Sequence, residues 1–204
     1  MKNEKGMVSI DRMICGGLEA NCWIIHHGEN SDAFIIDPGY SYKKYIGVVN
    51  GRKTVAKAIL LTHHHHDHSG AADALARELD VPVYMHAGDL PYYKGRVDAV
   101  LEDGETLYLN GESVHVLHTP GHTAGGVCYY MPGSKVSFTG DTIFNVDIGY
   151  THFTGGSPDD MRASLREVVN KWENDVTIYP GHGDPATMKY VRDVNKEFID
   201  MLGS

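Results

Sequence analysis

Five histidines and an aspartate stand in one run, His63-His64-His65-His66-Asp67-His68, directly after the apolar Ile59-Leu60-Leu61-Thr62 and before Ser69-Gly70. Imidazole and carboxylate are ligands for zinc, iron or manganese, and the absence of thiolate in the run disfavours a structural zinc knuckle. In extended backbone alternate residues share a face, so His63 and His65 can offer two imidazoles to one cation. Asp67 and His68 fall where the chain turns and can be aimed at a neighbouring position. His64 and His66 face the other way and read as flanking residues. An affinity tag would be terminal and pure histidine, whereas this run is internal, contains Asp67 and follows an apolar strand.

Four ligands in one stretch do not complete two sites, so others are expected downstream on further strand ends. Three turns supply them: Thr119-Pro120-Gly121-His122-Thr123, Thr139-Gly140-Asp141-Thr142 and Tyr179-Pro180-Gly181-His182-Gly183. Each carries one ligand-type residue beside a glycine, which lets the backbone turn tightly and approach a site.

The elements that must position these residues follow from periodicity. Met7–Ile10, Cys22–Ile25 and Ala33–Ile36 read as strands, the last ending at Asp37-Pro38-Gly39, a turn signal with no other role required of it. Ser69 is a candidate N-cap for a helix over Ala71–Leu79, which Asp80-Val81-Pro82 stops. Val83–His86 is a short strand with an ordinary histidine, and residues 87–104 read as an irregular loop. Asn110-Gly111 marks a hairpin between Thr106–Leu109 and Val114–Leu117. His118 is read as a supporting or structural residue. A second hairpin joins Val127–Tyr130 to Val136–Phe138 through Pro132-Gly133. Ser157-Pro158 opens a helix with the stripe Met161, Leu165, Val168 and Trp172. Val176–Tyr179 is a strand, and Thr187–Leu202 reads as one final helix carrying Val191, Val194, Phe198 and Met201. Strands then helices, twice over, fit a layered α/β chain.

The chain has 204 residues, enough for one domain over residues 1–204, with 42% apolar and 22% charged residues and a formal charge of -9. No run of Lys or Arg stands out, which argues against nucleic-acid binding. Met1–Gly6 is polar and no long apolar stretch follows, so neither a secretory signal nor a membrane span is expected. Cys15, Cys22 and Cys128 are scattered and odd in number. They read as buried free thiols of a cytoplasmic protein.

The motifs T-H-x-H-x-D-H (Thr62–His68), P-G-H-T (Pro120–Thr123), G-D-T (Gly140–Thr142) and P-G-H-G (Pro180–Gly183), in that order, resemble the metallo-β-lactamase superfamily. Within it the chain is similar to the short glyoxalase II-like (hydroxyacylglutathione hydrolase-like) hydrolases, from Asn21-Cys22-Trp23 to Gly183. The resemblance implies an αβ/βα four-layer sandwich. It puts His63, His65 and His122 on one metal, Asp67, His68 and His182 on another, and Asp141 between the two. It implies two divalent ions, zinc first and iron or manganese as alternatives, roughly 3.5–4 Å apart. A hydroxide held between them would attack a small-molecule thioester, with Asp67 both ligand and catalytic residue.

Two departures bear on substrate. The family's helical glutathione-docking domain has no counterpart, since residues 183–204 leave room for one helix. Where short members often read G-R-T-D-F, this chain reads Gly149-Tyr150-Thr151-His152-Phe153. Tyr150 and His152 are either a stacked pair in place of a salt bridge or an altered substrate mouth. The same superfamily contains a mononuclear iron persulfide dioxygenase and lactonases, which stand as alternatives to the thioesterase. A metal-storing or sensing domain is a further, non-enzymatic alternative.

Overall fold

The computed structural model describes residues 7–203; the polar stretch Met1–Gly6, read above as carrying no signal, lies outside the described residues. In chain order the elements are β1 (Ser9–Cys15), β2 (Ala20–His26), β3 (Asp32–Ile36), α1 (Tyr42–Gly51), β4 (Val55–Leu60), α2 (His66–Ser69), α3 (Ala72–Leu79), β5 (Val83–His86), β6 (Ala99–Leu101), β7 (Thr106–Leu109), β8 (Glu112–His118), β9 (Val127–Met131), β10 (Val136–Gly140), α4 (Pro158–Glu167), β11 (Thr177–Pro180), β12 (Ala186–Thr187), α5 (Met188–Val194) and α6 (Lys196–Gly203).

The strands form two six-stranded sheets, β1-β2-β3-β4-β5-β6 and β12-β11-β10-β9-β8-β7. The core has three apolar layers, and strand alternation assigns residues to them. Trp23, Ile25, Phe34, Ile36, Ala58 and Leu60 of the first sheet meet Leu109, Val116, Tyr129 and Phe138 of the second. Their neighbours Cys22, Ile24, Ile35, Ile59 and Leu61 point the other way, under Tyr45 and Val49 of α1 and Ala72, Leu75 and Ala76 of α3. Cys128 and Ile178 pack against Met161 and Leu165 of α4, Val191 of α5 and Phe198 of α6. This is the αβ/βα sandwich expected from the motifs. β2, β3 and β4 read as near-continuous apolar runs because both of their faces are covered.

The sheets are joined where the histidine turns emerge. Val127 N–H donates to the Thr62 carbonyl across the sandwich at 2.9 Å, and Asn21 N–H to that of Gly181 at 2.7 Å. The Trp23 indole adds a bond to the Pro180 carbonyl at 3.1 Å. Parallel pairing of β10 with β11 sets Gly140 opposite Pro180, so Asp141 and Gly181 leave the sheet side by side.

Four expectations are corrected. Ser69 is not an N-cap; it sits inside α2 and its hydroxyl donates back to the His64 and His65 carbonyls at 3.0 and 2.9 Å. The loop 87–104 contains strand β6, which pairs with β5 in parallel. The helix opened by Ser157, whose hydroxyl does accept from Asp160 N–H, stops at Glu167, and Trp172 follows a 3-10 turn. The final helix is split at Asn195, whose backbone leaves helical geometry at ψ 96°. Asn195 Oδ1 caps α6 by accepting from Phe198 N–H, while its amide donates to the Phe144 and Asp147 carbonyls. Breaking the helix there ties it to the loop after Asp141.

Candidate metal centre

The short α2 turns the chain immediately after His65, so His63 and His65 lie before it and Asp67 and His68 within it. All seven ligand candidates converge. His65 Nδ1 lies 2.8 Å from His122 Nε2, and the His63 ring centroid is 4.9 and 5.0 Å from those of His65 and His122. On the other side His68 Nε2 lies 3.2 Å from His182 Nε2, with Asp67 Oδ2 3.4 Å from His182 and 3.5 Å from His68. Asp141 stands between the groups. Its Oδ1 is 3.5 Å from His68 Nε2, and its Oδ2 is 3.5 Å from His122 Nε2 and 3.6 Å from His182 Nε2.

Their rear nitrogens are held from behind. His122 Nδ1 bonds the Tyr150 carbonyl at 2.7 Å, and His182 Nδ1 bonds that of Leu18 at 3.1 Å. His63 Nδ1 lies 3.0 Å from the Thr62 hydroxyl, and His68 Nδ1 lies 3.4 Å from Asp37. Such backing fixes ring orientation and leaves the opposite nitrogen free for a metal.

Asp37 is the main residue that sequence reading passed over. It is buried, with φ +54°, and accepts from Thr62 N–H at 2.7 Å and the Thr62 hydroxyl at 2.6 Å. Asp37, His63 and His68 also form a compact group, but Asp37 lies on the Nδ1 side of His68, behind the site. The available signal was its place one residue past β3, next to the parallel strand that feeds the histidine run. Asp89, in the loop read as irregular, was missed too. Its carboxylate accepts from His64 N–H, the Thr123 hydroxyl and Gly125 N–H at 2.8, 3.0 and 2.6 Å. It thereby clamps the His65 turn to the His122 turn.

The flanking histidines stay outside the cluster. His64 pairs with Asp89 at 3.0 Å and stacks on Tyr92, while His66 sits edge-on to Tyr40. His118 is structural, stacked on His86 at 4.0 Å. The Tyr150 and His152 rings are 5.4 Å apart but tilted by 48°, so they touch without stacking, and Tyr150 lines the mouth of a cavity.

Electrostatics divide the two groups. Burial pushes His63 far below the usual imidazole range and His65 down to about 4, and lowers His122, leaving these rings neutral with lone pairs available. Burial also opposes charge on His68 and His182, but the carboxylates prevail. Asp141, Asp37 and Asp67 hold His68 up to about 9, and Asp67 and Asp141 raise His182. Asp67, despite partial burial, is pulled to about 2 by His182 and His68. Buried His63 Nε2 and Asp141 Oδ1 have no hydrogen-bond partner, an arrangement costly for polar atoms that serve nothing else. Inward-facing neutral imidazoles, ionised carboxylates and unpartnered atoms fit divalent cations.

Glycine is required beside this cluster. A Cβ on Gly181 would collide with Asp141 Oδ1 and His68 Cε1. The cavity in front of the cluster holds about 650 Å³.

A profile of the metallo-beta-lactamase superfamily matches residues 15–182, which include every ligand candidate. The chain belongs to the metallo-beta-lactamase superfamily. Among relatives of this superfamily member, the probable polyketide biosynthesis zinc-dependent hydrolase PksB of Bacillus subtilis is 33% identical over 163 residues, 79% of this chain and 72% of that protein. Hydroxyacylglutathione hydrolase GloC of Haemophilus influenzae is 34% identical over 188 residues, covering 83% and 88%. The crystal structure of TTHA1623 in a di-iron-bound form superposes with a TM-score of 0.82 at 30% identity, over 91% of this chain and 98% of its own. This member of the superfamily is thus a metal-dependent hydrolase. No helix among the described residues is long and apolar enough to cross a membrane.

Proposed function

We propose that the chain hydrolyses a small acyl thioester at a centre of two divalent ions, zinc in the first instance. His63, His65 and His122 would hold one ion, Asp67, His68 and His182 the other, and Asp141 would serve both. The observation that carries this reading is Asp141, a single carboxylate whose two oxygens face histidines of both groups within 3.6 Å. When bound, such ions supply a water ionised near neutral pH and polarise a carbonyl. The chain's residues supply the rest. Asp67, ionised across the physiological range, orients the attacking water as a hydrogen-bond acceptor. The carbonyls of Tyr150 and Leu18 hold His122 and His182 in register. A protein nucleophile is not needed, and the thiols are poorly suited to the part: all three are buried, and burial pushes Cys22 and Cys128 upward. A thioester is supported by the likeness to a hydroxyacylglutathione hydrolase, and zinc by the likeness to a zinc-dependent hydrolase. The unpaired thiols suit a reducing compartment, and we assign the protein to the cytoplasm on that ground.

The test is to strip the protein with a chelator and titrate zinc back while following thioester cleavage in air and under argon. Activity should return over two equivalents and be indifferent to oxygen. Saturation at one equivalent with oxygen uptake would replace the hydrolase reading with an oxygenase.

A further inference from the structure

The walls of the cavity in front of the cluster are hydrophobic up to the ligand candidates themselves. Phe153 stands edge-on to His65 and His122 at 5.6 and 6.1 Å, and Phe144 stands edge-on to His182 at 6.0 Å. At the opening Leu18, Val146, Tyr150 and Phe153 are 67%, 49%, 69% and 46% exposed. Single exposed apolar residues are unremarkable, but a group of them gathered around one opening marks a ligand surface. The rim is also anchored to the site. Leu18, in the β1–β2 turn, accepts from His182, and Asn195 ties down the Phe144–Asp147 loop that carries Val146.

Charge is as informative as apolarity. Among the described residues no lysine or arginine lines the cavity, while Asp147 adds a carboxyl to it. Arg12 reaches its Gly183 end, but that guanidinium is committed to the Gly183 carbonyl, Asp184 and Asn21. Glutathione carries two carboxylates several bonds from its sulfur. In a thioester whose carbonyl lies at the cluster, these would enter an apolar mouth of a chain with formal charge -9. Recognition of carboxylates normally uses arginine, lysine or clustered N–H donors, and an unpaired carboxylate against apolar walls is penalised.

We infer that the substrate is an acyl thioester with an apolar acyl chain and an uncharged thiol portion, and that Leu18, Val146 and Phe153 select it over a glutathione conjugate. This rests on the hydrolase reading above and narrows its substrate class. The acyl chain packs along these residues, and the thiol portion leaves through the same open mouth.

The experiment uses the zinc-loaded protein and matched substrates, S-hexanoyl-N-acetylcysteamine and S-hexanoylglutathione, with acetyl and butanoyl members of each series. kcat/KM should rise about fourfold for each added methylene while the chain gains cover, and the neutral series should exceed the glutathione series by about tenfold or more. Val146→Lys, at a half-exposed position away from the ligand candidates, should shrink that preference several-fold without changing metal content. In parallel, calorimetry should find the uncleavable thioether S-hexyl-N-acetylcysteamine bound more tightly than S-hexylglutathione. Preference for the glutathione series, or no dependence on chain length, would overturn the inference. If neither thioester is cleaved, the thioesterase reading fails, and the thioether comparison still decides the character of the mouth: tighter S-hexylglutathione refutes it.

Discussion

Replacing Asp37 probes the support of the cluster without touching a ligand candidate. Its carboxylate accepts from Thr62 N–H at 2.7 Å and the Thr62 hydroxyl at 2.6 Å, and lies within ion-pair distance of His68 Nδ1 at 3.4 Å. In Asp37→Ala the hydroxyl can turn to His63 Nδ1, already 3.0 Å away. Thr62 N–H cannot, and a buried orphan donor costs about 1–3 kcal/mol; the buried His68 ring also loses one of the carboxylates that hold its charge. Alanine also sits less easily than aspartate at φ +54°. A loss of about 4 kcal/mol follows, which for a protein of this size lowers the melting temperature of the metal-free form by about 8–16 °C. Asp37→Asn separates stability from metal binding. Its amide oxygen still accepts from Thr62 N–H, but its NH2 faces His68 Nδ1 and favours the tautomer with the proton on Nε2. Zinc affinity, measured by competition with a chromophoric chelator, should fall roughly 10–100-fold while the melting temperature falls far less than in Asp37→Ala. Parental zinc affinity in Asp37→Asn, or Asp37→Ala melting within about 2 °C of the parent, would refute the positioning role.

Other expected outcomes follow from the same geometry. Without metal, His65 and His63 refuse protons that the unfolded chain takes up below about pH 6.5, so stability falls as pH drops from 6.5 toward 4. Asp67 adds to the acid loss, since its contribution is present above its unfolded value near 3.8 and disappears as pH falls toward 2. His68 works in the opposite direction: its contribution is complete below about pH 6.5 and is lost as pH rises toward 9. Urea midpoints of the metal-free protein should therefore peak between these limbs, and a steady rise from pH 6 to 9 would contradict the assignment. Gly181→Ala should lower zinc affinity more than any other substitution in that turn outside His182, because the added Cβ strikes both Asp141 and His68; a titration matching the parent would contradict this. Asp89→Ala should destabilise the fold by about 2–4 kcal/mol, since it unties His64 N–H, Thr123 and Gly125 N–H, and equilibrium urea unfolding measures it.

The ligand-type residues were legible as one histidine run after an apolar strand and three later residues in glycine turns, while their division between two metals was implied by the family resemblance. The buried strands were legible from runs such as Trp23–Ile25 and Ile59–Leu61, whose neighbours point to opposite layers, while their closure into two facing sheets was implied by the family resemblance alone. What escaped was set by partners distant in sequence. Asp37 looks like a turn residue until β3 pairs with β4 and brings it beside Thr62. Asp89 acquires its role only when Gly125 folds against it. β6 is three residues long and too short to show alternation. The last helix keeps its apolar spacing through Asn195, so periodicity predicts continuity, while hydrogen bonds to the Phe144 and Asp147 carbonyls favour the break.

The central claim, one carboxylate serving two ions, is tested most directly by elemental analysis of zinc-reconstituted protein after exhaustive dialysis, for the parent and for Asp141→Asn. The account predicts two zinc ions per parent chain and loss of at least one in the variant. A parent that saturates at a single ion, or an Asp141→Asn protein that retains both, would contradict it.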